Sequence, residues 1–292
     1  MPQTLTEIRE ELAARGIRPK HRFGQNFLHD HNQIRKLLAA AGVQAGDLVL
    51  EVGPGTGTLT ETLLDAGCEV VACELDRDMA EIVRSRNAHR MGTGAGRLVL
   101  LERDCLDGKH ALSAAVLDAV GGRPFRLVAN LPYQAATPLM ATLLEAHPHC
   151  LGQFVTIQRE VADRLGAKAG TDAYGPISVT MALLAEVETI SVLPPGCFWP
   201  APKVTSAMVA IRPRTGERPA GRWSDLGAFI LRTFGQRRKQ LGAILGRDAV
   251  GAAGFDPMRR PETLAPAEWV ALWDALGQPR AGGQQSGPQS SE

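Results

Sequence analysis

The chain has 292 residues, of which 44% are hydrophobic and 22% are charged, and its formal net charge is +1. This composition is ordinary for a soluble globular protein of one or two domains. The cysteines number 5 and form no C-x-x-C pair, which argues against a disulfide framework and against a zinc site. No apolar targeting segment precedes residue 17 and no stretch is apolar enough to cross a membrane, so we expect a cytoplasmic protein.

The charge is unevenly distributed along the chain. From Ile211 onward there are 12 Lys and Arg against 8 Asp and Glu, whereas the first 210 residues carry 20 against 23. A basic C-terminal part on a mildly acidic body indicates an anionic partner for the C-terminal part. A random excess of basic residues on a solvated surface accounts for the same numbers.

Two helices are predicted before the first strand, over residues 4–15 and 30–41, with a basic loop at 18–22 between them. Short apolar runs then alternate with helical patterns. The runs predict strands at 47–52, 69–74, 97–102, 125–130 and 153–157. The segments between them predict helices at 58–66, 77–90, 111–120 and 137–146. This alternation predicts an α/β fold with a mostly parallel sheet covered by helices on both faces.

The second half of the chain predicts a change of architecture. Strands at 179–192 and 204–212 would complete a seven-stranded sheet and close a Rossmann-like domain over residues 1–212. Residues 213–222 are rich in Pro, Gly and charge and predict a linker. Helical patterns at 224–234, 236–246 and 265–276 predict a small all-helical domain over 223–277. Residues 278–292 have almost no apolar side chain and predict a disordered tail.

A glycine-rich segment follows the first strand directly, from Glu51 to Gly57. It does not match the dinucleotide fingerprint, because Thr58 stands at the third glycine position, and no Gly-Lys-Ser/Thr follows to make a P-loop. The pattern acidic-x-Gly-x-Gly-x-Gly instead looks like the first motif of Rossmann-like methyltransferases. S-adenosylmethionine has a cationic sulfonium and an amino-acid end, which suit a nearby carboxylate. The alternative is a purely structural glycine turn.

Acidic residues end the next two strands. Glu74 lies 21 residues after Gly53, where a carboxylate can accept hydrogen bonds from both ribose hydroxyls of a cofactor. Asp104 follows the third strand, where it can accept the exocyclic amine of the cofactor's adenine. We therefore expect Gly53, Gly55, Glu74 and Asp104 to bind S-adenosylmethionine, against the alternative that each acid is an ordinary surface carboxylate.

The fourth strand ends in Asn130-Leu131-Pro132-Tyr133, a tetrapeptide typical of methyltransferases that act on the amino group of a base. The N6 lone pair of adenine is delocalised into the ring, so two acceptors on the amino hydrogens are needed to aim it at the methyl group. The side-chain oxygen of Asn130 and the carbonyl of Leu131 are the predicted acceptors. Pro132 fixes the turn, and stacking of the base on Tyr133 is worth roughly 1–3 kcal/mol. The alternative is a plain strand-to-turn transition.

These segments together resemble the ribosomal RNA adenine dimethyltransferases, most closely the bacterial small-subunit type, over roughly residues 15–247. Several blocks carry the resemblance in the same order along the chain. They are Gly24–Leu28, Gly53–Gly57, Asn130–Tyr133 with Thr137-Pro138, Gln158–Arg164, Tyr174-Gly175, Phe198–Val204 with Ser206-Ala207, and Phe234 leading to Arg237-Arg238-Lys239.

The resemblance implies which residues contact the cofactor and what is methylated. The implied cofactor contacts are Asn26, Leu28, Gly53, Glu74, Asp104 and Asn130, with Asn26 and Leu28 closing over it. The implied substrate is a pair of adjacent adenines, each methylated twice, in a hairpin loop near the 3′ end of small-subunit RNA. Three positions depart from the family pattern: Gln134 replaces the usual Asn, Thr205 a common Asp, and Gln240 a Thr.

Basic residues in two segments are predicted to touch RNA phosphates, which would position the RNA without reading its sequence. They are Arg18, Lys20, Arg22, Arg237, Arg238 and Lys239. For each of them alone, a solvated surface charge is an equal alternative. We expect a monomer whose partner is the small ribosomal subunit or its RNA, with no metal and no membrane.

Other functions are weighed against this one. A large-subunit dimethylase of the antibiotic-resistance type uses the same chemistry. Residues 234–239, with the pattern Phe-x-x-Arg-Arg-Lys, and residues 202–207, with the pattern Pro-Lys-Val-x-Ser-Ala, favour the small-subunit type. A ribosome-assembly checkpoint or transcription factor that has lost catalysis is disfavoured by the intact tetrapeptide and Glu74. A small-molecule methyltransferase leaves the basic C-terminal part unexplained, and Thr58 disfavours hydride transfer.

Overall fold

The computed structural model describes residues 3–108, 111–214 and 222–277. Most of the predicted linker, residues 215–221, and the predicted tail, residues 278–292, lie outside the described residues. Within the described ranges, no helix has the length and apolar character needed to span a membrane.

The strands and helices are numbered here in chain order. The strands β1 to β11 are Phe27–Leu28, Leu48–Val52, Glu69–Cys73, Leu98–Leu101, Leu106–Asp107, Ala111–Leu112, Phe125–Asn130, Cys150–Gln158, Ala185–Leu193, Phe198–Trp199 and Ser206–Pro213. The helices α1 to α12 are Leu5–Ala14, His31–Ala41, Thr58–Asp65, Arg77–Arg86, Ala114–Val120, Tyr133–Ala146, Arg159–Leu165, Pro176–Leu184, Arg222–Phe234, Leu241–Leu245, Arg247–Ala252 and Pro266–Ala275.

The described residues form a central seven-stranded sheet with the order β4-β3-β2-β7-β8-β11-β9. The first five strands of that order are parallel, and β11 runs antiparallel to both of its neighbours. Alternate residues of β2 point to opposite faces: Val49 packs with α2 and α3, and Leu50 packs with α5 and α6. This confirms the predicted Rossmann-like sheet covered by helices on both faces.

Several predicted boundaries shift for local reasons. Helix α5 begins at Ala114, not at residue 111, because Ala111 and Leu112 pair with β5. Helix α6 begins at Tyr133, four residues before the predicted start, so the tetrapeptide leads directly into it. Helix α4 ends at Arg86 instead of residue 90, where a short 3₁₀ turn follows.

The predicted strand at 179–192 is wrong in its first half. Residues 176–184 form α8, and the strand β9 begins only at Ala185. Helix α8 is buried around most of its circumference, and its apolar residues Ile177, Val179 and Met181 alternate with Ser178 and Thr180, which is the period of a strand. Pro176 at its first position is a helix-start signal that this alternation outweighed in the prediction.

The predicted helix at 236–246 is also wrong over its first half. Residues 235–239 form turns, with the Lys239 N–H donating to the Gln236 carbonyl at 2.7 Å, and α10 covers only Leu241–Leu245. Arg237, Arg238 and Lys239 therefore lie on a turn between α9 and α10, not on a helical face.

The C-terminal helices pack against the sheet domain through α6 and α8. Phe229, Phe234 and Trp269 share an apolar cluster with Tyr174 and Val179, which come from the sheet domain. The Tyr174 hydroxyl donates to the Leu264 carbonyl at 2.8 Å across this contact. The predicted domain boundary near residue 212 stays a prediction.

Candidate active site

A cleft opens at the carboxyl ends of β2, β3 and β7. The chain runs from β2 to β3 and β4 on one side and returns to β7 on the other, so the cleft lies at the point where the strand order reverses. Open α/β sheets bind ligands at such points. The cleft is lined by residues 23–28, Glu51, Gly53–Thr56, Thr58, Leu59, Glu74, Asn130 and Pro132.

The glycines of the loop bring three segments into contact. Gly53 and Gly55 have φ angles of 71° and 59°, in the left-handed region that favours glycine. A Cβ on Gly53 would lie 2.9 Å from Cγ of Pro132, and one on Gly55 would lie 2.8 Å from Cδ1 of Phe27. The tetrapeptide and the Gly24–Leu28 segment therefore both pack against the glycine loop, with no room for a side chain.

Glu74 lies at the end of β3 with its carboxylate in the cleft. It is 7% exposed, and its oxygens accept the N–H of Asp76 at 2.9 Å and of Gly55 at 3.2 Å. Burial raises the pKa of Glu74, and these backbone donors oppose that change. The carboxylate is thus fixed in place and poorly solvated, as a group that accepts ligand hydroxyls requires.

Glu51 is a second buried carboxyl group in the cleft. It is 1% exposed, accepts a hydrogen bond from the Thr60 hydroxyl at 2.7 Å, and burial raises its pKa to about 8. The hydroxyl of Thr58, which also lines the cleft, is buried without a partner among the described residues. Two desolvated carboxyl groups and an unpartnered hydroxyl fit a ligand that carries positive charge and polar groups, as S-adenosylmethionine does.

The tetrapeptide places Asn130 at the opposite wall. Its side-chain nitrogen donates to the Asn26 carbonyl at 2.9 Å, so the side-chain oxygen is the acceptor that this amide still offers. Leu131 is buried, and its N–H donates to the Thr156 carbonyl at 3.1 Å. The Tyr133 hydroxyl lies 3.3 Å from the hydroxyl of Ser206, a fully buried residue at the start of β11.

Most of the residues predicted to bind the cofactor come together in this cleft. Lining residues among them are Asn26, Leu28, Gly53, Gly55, Glu74 and Asn130. Asp104 does not line it: its side chain is exposed, and its carboxylate accepts the N–H of Leu106 at 3.0 Å. In the described part of the chain, no group of three or more His, Cys, Asp or Glu side chains is arranged to hold a metal ion.

The predicted RNA contacts differ in their surroundings. Arg18, Arg22, Arg238 and Lys239 are exposed, and the Arg22 guanidinium lies 4.7 Å from the centre of the Phe23 ring. Arg237 forms an ion pair with Glu262 at 3.2 Å. Lys20 is engaged by two carboxylates, Asp76 at 2.7 Å and Asp78 at 2.6 Å.

Sequence reasoning missed two glutamines that support the cleft. Gln3 is 1% exposed, and its side-chain nitrogen donates to the Thr56 carbonyl of the glycine loop at 2.7 Å. The capping box of Thr4 and Glu7 was visible in the sequence and fixes where α1 starts, but nothing in the sequence indicates what Gln3 meets. Gln25 donates to the buried carboxylate of Asp76 at 2.7 Å.

Comparison with known proteins identifies the family. Residues 16–256 match the family model described as Ribosomal RNA adenine dimethylase. The chain is 41% identical over 286 residues to Ribosomal RNA small subunit methyltransferase A of Bifidobacterium longum subsp. infantis, covering 92% of each chain. It is 38% identical to the protein of the same name from Phenylobacterium zucineum, covering 94% of this chain and 93% of that one.

Solved structures show the same fold. A dimethyladenosine transferase from Plasmodium falciparum is similar with a TM-score of 0.65 and 21% identity, covering 86% of this chain and 98% of that one. The 23S rRNA methyltransferase ErmE is similar with a TM-score of 0.58 and 24% identity, covering 87% and 100%. The family match and the close relatives settle the membership: the chain belongs to the ribosomal RNA adenine dimethylase family and is an S-adenosylmethionine-dependent methyltransferase.

Proposed function

We propose that this protein dimethylates the N6 amino groups of two adjacent adenines in a hairpin loop near the 3′ end of small-subunit ribosomal RNA. One observation carries the proposal: Asn130 and Pro132 share a single cleft with the glycine loop and Glu74, so a cofactor and a target base would meet there. The curated relatives at about 40% identity are named for the small subunit, which supports that choice of RNA.

The buried acids and the glycine loop would bind the cofactor. Glu74 would accept hydrogen bonds from the ribose hydroxyls, and Glu51 would balance the ammonium group. Gly53 and Gly55 let the backbone approach closely, and residues 26 and 28 cover the cleft. When bound, S-adenosylmethionine supplies an electrophilic methyl group on a cationic sulfur, so the protein has to position the reactants more than to move protons.

Activation of the base falls to the tetrapeptide. The side-chain oxygen of Asn130 and the carbonyl of Leu131 would accept the two N6 hydrogens and draw the nitrogen lone pair out of the adenine ring. The Tyr133 ring would stack on the target base, and Ser206 would hold that ring through its hydroxyl. An adenine in a loop is already unpaired, so little energy is needed to bring it into the cleft.

Contacts with the rest of the RNA would come from exposed basic side chains. Arg18, Arg22, Arg238 and Lys239 are exposed and would meet phosphates, with an affinity that falls as salt concentration rises. The protein would act on this RNA as a monomer. A ribosomal substrate supports a cytoplasmic location.

The test is methyl transfer from labelled S-adenosylmethionine to unmethylated small ribosomal subunits, with large-subunit RNA in parallel and mass mapping of the product. Dimethyladenosine at two adjacent positions near the 3′ end of small-subunit RNA is the expected result. Label in large-subunit RNA alone would assign the enzyme to the other ribosomal substrate. Tight binding to the subunit without any label would make it a binding protein.

A further inference from the structure

A buried carboxylate ties the segment before β1 to the cofactor cleft. Asp76 is 3% exposed and lies two residues after Glu74. One of its oxygens accepts the Lys20 ammonium group at 2.7 Å, and the other accepts the side-chain nitrogen of Gln25 at 2.7 Å. The side-chain oxygen of Gln25 in turn accepts the Lys20 N–H at 2.7 Å. The three residues therefore form a closed ring of hydrogen bonds.

Residues 23–28, which we call the cover segment, form one wall of the cleft. The segment is held at its far end by Asn130, whose side chain donates to the Asn26 carbonyl at 2.9 Å. The Phe27 ring packs against Gly55, and Leu28 pairs with Phe198. At its near end, the ring of hydrogen bonds around Asp76 is the polar attachment to the sheet domain.

Asp76 also reaches the cofactor side of the cleft. Its backbone N–H donates to Glu74 at 2.9 Å, the same carboxylate that we propose for the ribose. The residue thus contacts both the proposed ribose acceptor and the segment that covers the cleft, and its burial shields these bonds from water.

We propose that Asp76, Gln25 and Lys20 form a clasp that holds the cover segment over S-adenosylmethionine, and that Lys20 is a positioning residue of this clasp. The inference rests on the proposed cofactor site. It gives Lys20 a role other than the phosphate contact expected from the sequence, because two carboxylates already accept hydrogen bonds from its ammonium group.

The competing explanation is that Asp76 is only a helix cap. Its carboxylate accepts the Asp78 N–H at 3.2 Å at the start of α4. Asparagine caps helices as well as aspartate does, so Asp76→Asn keeps the cap. The same substitution turns one oxygen into a donor that faces the Gln25 nitrogen, which breaks the clasp. Rotating the Gln25 amide only moves the conflict to the Lys20 N–H.

A polarity swap tests the clasp. Gln25→Glu alone places two carboxylates against each other, whereas Gln25→Glu combined with Asp76→Asn restores a donor opposite an acceptor at every bond. Asp78→Asn is the matched control, because Asp78 also binds Lys20 but is exposed and does not touch Gln25.

Two measurements read the result without any RNA. Calorimetry gives the affinity for S-adenosylmethionine. Hydrogen exchange of residues 20–28 in the free protein shows how firmly the cover segment is fixed to the sheet domain. Losing a charge-assisted hydrogen bond weakens affinity by about tenfold or more, so we expect that loss in each single variant. We expect faster exchange in both, recovery of most of the loss in the double variant, and a change below about twofold in Asp78→Asn.

Unchanged affinity and exchange in Asp76→Asn would overturn the clasp, as would a double variant no better than the singles. Exchange in the free protein reports on the clasp even when no cofactor binds. A parent protein that bound no S-adenosylmethionine would instead count against the proposed cofactor site. Exchange within α4 should stay constant throughout, which separates the clasp from loss of the cap.

Discussion

Two regions of the described chain hold desolvated carboxyl groups that no described cation pairs with, namely the buried acids of the cleft and a partly buried acid between helices. In the cleft, Glu51 and Glu74 are almost fully buried, and neither forms an ion pair with any described residue. In the contact that α9 makes with α6 and α8, which we call the helix seam, Glu145 accepts a hydrogen bond from Thr180 at 3.1 Å. Burial raises the pKa of Glu145 to about 7.

The two regions differ in what can relieve the burial. An unpaired buried carboxylate is costly, so it must find a cation or take up a proton. The cleft is open, and a cationic cofactor can supply the missing charge. In the helix seam, Gly227 of α9 packs directly against Glu145, where an added Cβ would lie 2.6 Å from the carboxyl oxygens, so this contact leaves no space for a ligand between the two residues. We infer that the cleft acids respond to a ligand and that Glu145 responds to a proton.

The largest expected effect separates catalysis from charge balance within the cleft. Asn130→Ala removes the proposed acceptor for the N6 hydrogens but leaves both acids in place. Loss of one oriented polar contact to the reacting group lowers turnover by about 100- to 1,000-fold. We expect that loss in kcat for rRNA methylation, while calorimetric affinity for S-adenosylmethionine falls only several-fold through the lost bond to Asn26. Equal losses in both would make Asn130 a cofactor ligand alone.

A smaller effect distinguishes the acids of the two regions. Glu74→Gln keeps the shape of the side chain but removes the charge-assisted hydrogen bonds to the ribose, so affinity for S-adenosylmethionine should fall by about 10- to 100-fold. Glu145→Gln is the matched change in the helix seam and should leave that affinity within about twofold. Calorimetry on both variants measures the difference, and normal affinity in Glu74→Gln would remove Glu74 from the site.

The cleft was largely predictable from the sequence, because its chemistry depends on short motifs at strand ends. Gly53, Glu74 and Asn130 each follow an apolar run that ends in a turn, and parallel strands bring such ends to one edge. Asp104 followed the same logic, but its carboxylate turns to the Leu106 N–H instead of the cleft.

The helix seam and the clasp were not predictable, because they depend on contacts between residues far apart in the chain. Glu145 and Gly227 lie in different predicted domains, and neither belongs to a motif. Helix α8 was predicted as a strand because its apolar residues alternate with polar ones, and burial on most sides leaves it no helical period. Lys20 was predicted to be an exposed, RNA-binding cation, because its two carboxylate partners lie 56 and 58 residues away along the chain.

The dependence of stability on pH should sharpen the comparison further. Burial raises the pKa of Glu145 to about 7 and that of Glu51 to about 8 in the folded protein, both above the ordinary value of 4.5. The folded protein therefore keeps protons that the unfolded chain releases. This stability is fully present below pH 4.5 and is lost as pH rises to 7 for Glu145 and to 8 for Glu51. Each group contributes at most about 1.4 kcal/mol per pH unit.

Chemical denaturation across this pH range measures the two contributions separately. Glu145→Gln should remove the loss of unfolding free energy that is otherwise complete near pH 7. Saturating S-adenosylmethionine should reduce the loss of stability that Glu51 causes as pH rises to 8, because binding favours the ionised form of Glu51. For the same reason, cofactor affinity should rise as pH approaches 8. If the cofactor also changed the pH-dependent stability that Glu145 contributes, the two regions would not be independent.

The smallest expected effect tests how tightly Gly227 packs against Glu145 in the helix seam. Alanine at a helical glycine usually stabilises a helix by up to about 1 kcal/mol. Gly227→Ala should instead destabilise the protein by about 1 kcal/mol, because the new methyl group displaces a carboxyl group that Thr180 holds. Gly251→Ala in α11 is the control, since a Cβ there meets nothing within 4 Å and should give the ordinary gain.

Repeating Gly227→Ala in a protein that lacks the Glu145 carboxyl group shows whether that group causes the destabilisation. In a Glu145→Ala protein the obstacle is gone, so adding Gly227→Ala should now stabilise α9 as Gly251→Ala stabilises α11. Urea denaturation of the four combinations at positions 145 and 227 measures this coupling directly. If Gly227→Ala were already stabilising beside the intact Glu145, the carboxyl group would be free to leave the helix seam. It could then turn towards a ligand, and the contrast with the cleft would no longer hold.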